Sequence, residues 1–151
     1  MINKLERLVD EVGALQSKLV LLVGMPKSGK TGLLNELAKS RGVTPINVGA
    51  RLGERLASLP QKQRSLQTTT ILRELADQHA KDSLLLLDNI ELLFDQSLKL
   101  DPLDLLKRHA HARRVVAVWP GELRDGRLTY ADMGHPEHQD YGIGGLVPFE
   151  V

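Results

Sequence analysis

Eight residues, Gly24-Met-Pro-Lys-Ser-Gly-Lys30-Thr31, have the types and spacing of a phosphate-binding loop. They fit G-x-x-x-x-G-K-[ST], the P-loop or Walker A pattern. Such a loop wraps backbone N–H groups around an anionic β-phosphate, and the helix that follows adds the partial positive charge of its N-terminus. The cradle would comprise Gly24, Pro26, Lys27, Ser28, Gly29, Lys30, Thr31 and Gly32. Lys30 would reach the β- and γ-phosphates of ATP, and the Thr31 hydroxyl would ligate Mg²⁺. Gly24 and Gly29 supply close approach and turn conformations that a Cβ obstructs.

A second landmark is Asp88, which follows four consecutive leucines, Leu84 to Leu87. At the carboxyl end of a strand it is a candidate Walker B carboxylate, sharing Mg²⁺ with Thr31. The simpler reading makes it the cap of the segment that follows. Many related ATPases place a Glu next, to orient the attacking water; here the residue is Asn89. An amide can position a water but cannot accept its proton as a carboxylate does. Glu91 is the nearest carboxylate, either taking that role or standing as a solvated helix residue. The candidate catalytic set is therefore Lys30, Asp88, Asn89 and Glu91. Arg113, Arg114, Arg124 and Arg127 are candidates for an arginine supplied to a neighbouring subunit, each set against an ordinary surface charge. Trp119, after the next apolar strand, stands where a polar γ-phosphate sensor is expected and offers only an indole N–H.

These residues need strands and helices to hold them. Leu19–Val23 reads as the strand before the loop, and Leu33, Leu34, Leu37 and Ala38 as the helix after it, stopping near Gly42. Residues 2–16 form an amphipathic helix with Leu5, Leu8, Val9, Val12 and Leu15 on one stripe. The pattern next predicts a short strand over 44–48, a helix over 51–59, a polar connection over 61–64, and a helix from Ser65 to about Ala80 facing inward through Leu66, Thr69, Leu72, Leu75 and Ala76. Ser83–Asp88 reads as a strand buried on both faces, and Ile90–Leu98 has helical spacing. Asp101-Pro102-Leu-Asp104 is a helix start with capping carboxylate and N1 proline. Val115–Trp119 is a fourth strand. Residues 121–151 form a Gly/Pro-rich segment in which 127–130 and 146–151 read as short strands, the latter confined to an edge by Pro148. Strands alternating with helices predict one domain over 1–151: an α/β, three-layer P-loop NTPase core with a parallel sheet, AAA+/ASCE-like and lacking a C-terminal helical lid.

Composition narrows the function. A net charge of +1 favours neither a nucleic-acid nor a membrane partner, and five aromatic residues make no stacking platform for single strands. The basic run Lys107–Arg114, with His109 and His111, is a weak footprint for DNA phosphates. Gly134-His-Pro-Glu-His138 reads as a structured loop rather than a metal site. With no cysteine there is no disulfide or thiolate chemistry. The charged start and the absence of a 20-residue apolar run predict a cytoplasmic protein.

The segments in order are the P-loop, Leu84–Phe94, Asp101-Pro-Leu, Val115–Gly121, Leu128–Ala131 and Gly134–Glu137. Together they resemble the BrxF family, small P-loop ATPases of type 3 BREX phage-defence systems. The resemblance spans almost the whole chain and implies a homo-oligomer that acts with other BREX proteins to assemble or regulate an anti-phage complex. Two other functions fit the same motif: a nucleotide-binding assembly module that does not hydrolyse, and a small-molecule kinase. For a kinase, residues 47–54 offer no carboxylate pair to hold an acceptor.

Overall fold

The computed structural model describes residues 1–130 and 139–151. Five strands form one parallel sheet in the order β2-β3-β4-β1-β8: β1 (Leu19–Val23), β2 (Ile46–Asn47), β3 (Leu84–Asp88), β4 (Arg114–Val118) and β8 (Val147–Glu150). Leu19 stands beside Val115, and Leu84 beside Arg114, so β1, β3 and β4 end at one level. Continuous apolar strands are required because both faces are covered.

Side-chain alternation sorts the core into two layers. Val20, Leu22, Leu84, Leu86, Val116 and Val118 pack under α1 (Ile2–Val12) and α2 (Lys30–Arg41). Leu19, Leu21, Leu85, Leu87, Val115 and Ala117 face the other way. There they meet α3 (Val48–Ala57), α4 (Gln61–His79) and α5 (Pro102–Ala112). Each leucine so buried stabilises the fold by about 1.5–3 kcal/mol before entropy is charged. This is the three-layer α/β core expected.

Several boundaries differ for local reasons. α1 stops at Val12 with Gly13 after it, leaving Leu15 48% exposed instead of on the buried stripe. β2 is two residues long because Asn47 caps α3, its Oδ1 accepting from Ala50 N at 3.1 Å, so Val48 is already helical. Residues 61–64 are the first turn of α4, not a connection: Pro60 in an extended conformation is the N-cap, and Gln63 N donates to its carbonyl. The buried face runs through Thr68, Ile71, Leu72, Leu75 and Ala76, while Leu66, about 120° around the helix from Leu72, is 77% exposed. Asn89, in the left-handed region (φ 52°), and Asp95, which caps Ser97, break 90–98 into two 3₁₀ turns, Ile90–Phe94 and Gln96–Leu98. The start of α5 follows the pattern read from sequence, with Asp101 Oδ1 accepting from Asp104 N at 3.1 Å.

Beyond β4 the chain forms a three-stranded antiparallel sheet, β5 (Glu122–Arg124), β6 (Arg127–Tyr130) and β7 (Gln139–Gly142). β6 falls where expected; β5 and β7 were missed. Asp125-Gly126 joins β5 to β6 with φ 52° and 73°, a hairpin signal present in the sequence. β8 then returns to the parallel sheet as an edge strand, the position Pro148 requires. No helix follows α5 among the described residues. Residues 134–138, expected to form a loop, lie outside the described residues. No helix is long and apolar enough to cross a membrane among the described residues.

Candidate functional site

The P-loop leaves the carboxyl end of β1 and enters α2 at Lys30. Met25, Pro26, Lys27, Gly29, Thr31 and Gly32 are exposed along its outer surface, with Gly24, Ser28 and Lys30 half-buried. Lys27 holds a left-handed backbone (φ 63°), and Gly29, the N-cap, has φ 97°. A Cβ on Gly24 would lie 2.7 Å from Ser28 Oγ and 2.8 Å from Val151 O, so only glycine fits there. Ser28 Oγ is buried in the cradle without a hydrogen-bond partner.

Lys30 and Thr31 point toward different strands. Lys30 Nζ donates to Gly24 O at 2.9 Å and to Trp119 O at 3.3 Å, reaching from α2 to the end of β4. Desolvation lowers its pKa, and the charge of Glu91 acts in the opposite sense. Thr31 Oγ1 donates to Asp88 Oδ1 at 3.3 Å, across 57 residues of sequence. Asp88 is 8% exposed, and the same oxygen accepts from Asn89 N at 2.8 Å. The fold therefore brings together the two residues chosen as magnesium ligands.

A hydroxyl beside a carboxylate is a hard-oxygen pair suited to Mg²⁺, which takes few protein ligands and keeps waters and substrate phosphates. Among the described residues no group of three His, Asp or Glu could hold a metal by itself. The donor set fits a phosphate-bound magnesium rather than a cage.

Asn89 and Glu91 line an open cavity of about 590 Å³ beside Asp88, with Asn47 and Asp95 on its other walls. Asn47 is level with Asp88 across the β2–β3 pair. Residues 47–54 offer no carboxylate pair of their own; folding brings Glu91 and Asp95 to that place from the segment after β3.

Trp119 turns away from the loop. Its ring is fully buried, its Nε1 donates to Thr129 O at 3.0 Å, and only its carbonyl meets Lys30. It packs edge-on against Phe94 and Tyr141, while Phe94 stacks on Tyr130 at 3.9 Å between centroids. Four of the five aromatic residues thus join β4, the segment after β3 and the antiparallel sheet, a role for Trp119 that its sequence position did not reveal. Tyr141 has its pKa pushed up to about 12 by burial, with the charge of Asp101 adding to it.

The candidate arginines divide into two pairs. Arg113 donates to Ala76 O at 3.1 Å and pairs with Asp77 at 2.7 Å. Arg114 donates to Asp82 O at 2.9 Å and Val9 O at 3.4 Å. Both stand at the amino end of β4, the opposite end of the sheet from the loop. Arg124 pairs with Glu122, and Arg127 with Asp140, on the antiparallel sheet. Arg124 also lines a cavity shared with Gly24 and Met25 of its own chain.

The basic run on α5 is largely committed internally. Arg108 pairs with Asp104 at 3.1 Å, and burial lowers the pKa of His109, with the charge of Arg113 adding to it. With Arg113 and Arg114 also engaged, Lys107 and His111 are what remains of the footprint considered for DNA.

No protein-family model and no curated protein matches the chain. Solved structures do. One described as a DNA replication initiation factor superposes with a TM-score of 0.54 and 16% identity, covering 99% of this chain and 44% of its own. Another, replication initiator DnaA bound to AMPPCP and single-stranded DNA, gives a TM-score of 0.50 and 21% identity, covering 99% of this chain and 46% of its own. The chain spans less than half the length of either. At such identities the likeness is one of fold alone: a three-layer α/β core around a five-stranded parallel sheet.

Proposed function

We propose that this chain binds Mg-ATP at the Gly24–Thr31 loop and uses it to control assembly with further copies of itself. The observation that carries the reading is the 3.3 Å contact between Thr31 Oγ1 and Asp88 Oδ1, with Lys30 one residue away. A loop alone marks a candidate anion site; a loop with a strand-end carboxylate on its Thr hydroxyl marks a site for a phosphate–magnesium pair. The AMPPCP bound by the DnaA neighbour supports the same assignment.

In this reading Lys30 exchanges its two carbonyl partners for phosphate oxygens, and backbone N–H groups of residues 25–31 hold the β-phosphate. Bound magnesium neutralises charge on the phosphates, and Thr31 and Asp88 would hold it. Glu91 supplies the carboxylate that position 89 lacks, activating water at the edge of the 590 Å³ cavity. The resemblance to BrxF extends the proposal to a BREX anti-phage complex, in which the other BREX proteins are the partners. Mass determination with and without Mg-ATP, on wild type and Lys30→Ala, tests the reading. Assembly driven by Mg-ATP and lost in the variant is expected; an assembly state indifferent to both would refute it.

Asn89 favours a second reading, in which nucleotide binding alone drives assembly by mass action. Recovery of intact ATP after long incubation of the assembled protein with Mg²⁺ would select it over hydrolysis.

A further inference from the structure

We infer that the cavity between the start of the P-loop and the β5–β6 hairpin is the nucleoside subsite, and that it takes an amino-bearing base such as adenine. This rests on the Mg-ATP reading above and concerns the end of the nucleotide that the motif does not specify. The cavity measures about 410 Å³, and its walls include Gly24 and Met25 of the loop, Leu123 and Arg124 of β5, and Glu150 and Val151.

Three observations point to the base. The first is direction. Thr31 and Asp88 hold the magnesium end of the polyphosphate on the β3 side of the loop. The cavity lies on the other side, by the carboxyl ends of β1 and β8. β8 stands three strand spacings from β3, about 14 Å, room for the phosphate chain and ribose between.

The second is surface. Met25 is 71% exposed, a large apolar side chain on an otherwise polar loop. With Leu123 it offers an apolar wall, and a thioether makes favourable contacts with an aromatic edge. Arg124 lies at the same wall, 71% exposed, and a guanidinium stacks on a π-face.

The third is charge. The carboxylates of Glu122 and Glu150 also line the cavity, with Arg124 paired to Glu122. A phosphate placed there would meet net negative charge, whereas an exocyclic amino group would donate to it. The cavity thus suits the neutral, amino-bearing end of a nucleotide and disfavours the anionic end.

Leu123 and Arg124 come from the strand after β4, so the chain supplies this wall itself. Arg124, a candidate from sequence for action on a neighbouring subunit, acts here within its own.

The test compares the affinity of the full chain for Mg-ATP, Mg-ITP and magnesium tripolyphosphate. Stacking and apolar burial at this wall make wild type bind ATP at least about tenfold more tightly than tripolyphosphate. ITP, carrying a carbonyl in place of the amino group, binds more weakly than ATP. Arg124→Ala and Leu123→Ala each bring ATP close to tripolyphosphate and leave tripolyphosphate unchanged. Arg124 is exposed, so its variant keeps the fold. Equal binding of ATP and tripolyphosphate by wild type, ITP as tight as ATP, or an undiminished ATP advantage in both variants overturns the assignment. Tripolyphosphate bound at wild-type strength in those cases leaves the P-loop reading standing; loss of every phosphate ligand removes both.

Discussion

The two flanks of the P-loop are built by different means. On the β3 side, Asp88, Asn89 and Glu91 come from one strand end and the turn after it, and meet the loop because β3 and β1 end level in a parallel sheet. On the β8 side, Leu123 and Arg124 come from an antiparallel hairpin that folds back over the sheet and is held by buried aromatic rings. The first flank is polar and oxygen-rich, fit for a metal and a reacting phosphate. The second mixes apolar surface with one cation and two carboxylates, fit for a base. A strand end fixes a charge within the sheet's geometry, whereas a hairpin adds a wall that can be changed without disturbing the phosphate cradle.

The largest effect expected divides the flanks at the loop itself. Lys30→Ala removes the side chain proposed to reach the β- and γ-phosphates and should weaken ATP and tripolyphosphate alike, by about a hundredfold or 2.7 kcal/mol, in equilibrium binding. A variant that lost ATP but kept tripolyphosphate would break the division. Next, Glu91→Gln should lower turnover about a hundredfold with Mg-ATP affinity unchanged, within the range for loss of a general base. Unchanged turnover would move that role to Asn89 or to another chain.

A third prediction concerns how the hairpin is attached. A Cβ on Gly121 would lie 1.6 Å from Thr129 O, so Gly121→Ala must shift β6. Thermal unfolding should show a loss of about 1–3 kcal/mol. Nucleotide discrimination should suffer before phosphate binding does.

A smaller effect is optical. Trp119 is the only tryptophan, and in the proposed reading its carbonyl releases Lys30 when phosphate binds. Its fluorescence should shift on adding Mg-ATP to wild type and stay constant in Lys30→Ala.

The smallest effect is alkaline. Burial, with the charge of Asp101 adding to it, pushes the Tyr141 pKa up to about 12 in the folded chain, from 10.0 for an ordinary tyrosine. Between these values the folded state binds more protons than the unfolded state. The stability it contributes is therefore full below pH 10 and is lost as pH rises toward 12. Tyr141→Phe should flatten that part of the melting-temperature profile.

Much of the first flank could be read from local order. Loop, strand and helix around Lys30 are contiguous, and four leucines before Asp88 announce a strand buried on both faces. The edge position of β8 followed from Pro148, because a missing N–H cannot serve a central strand. Less was legible in short elements. β5 and β7 are three and four residues long, too short for a periodic signal, and of their sheet only β6 and the Asp125-Gly126 turn are marked in the sequence. The first turn of α4, Gln61 to Arg64, carries no apolar residue to announce it, and Leu66 sits off the stripe that packing buries through Thr68 and Ile71.

The sequence by itself determined the phosphate loop, the buried strands and the carboxylate at the end of β3, because each rests on residues adjacent in the chain. Only the tertiary structure decided which distant groups meet. It set Thr31 on Asp88, turned Trp119 into the aromatic cluster, committed Arg113 and Arg114 to the far end of the sheet, and placed Arg124 beside its own loop. Those choices follow from strand order and from where a hairpin folds back, which packing of the whole chain selects and no short stretch encodes.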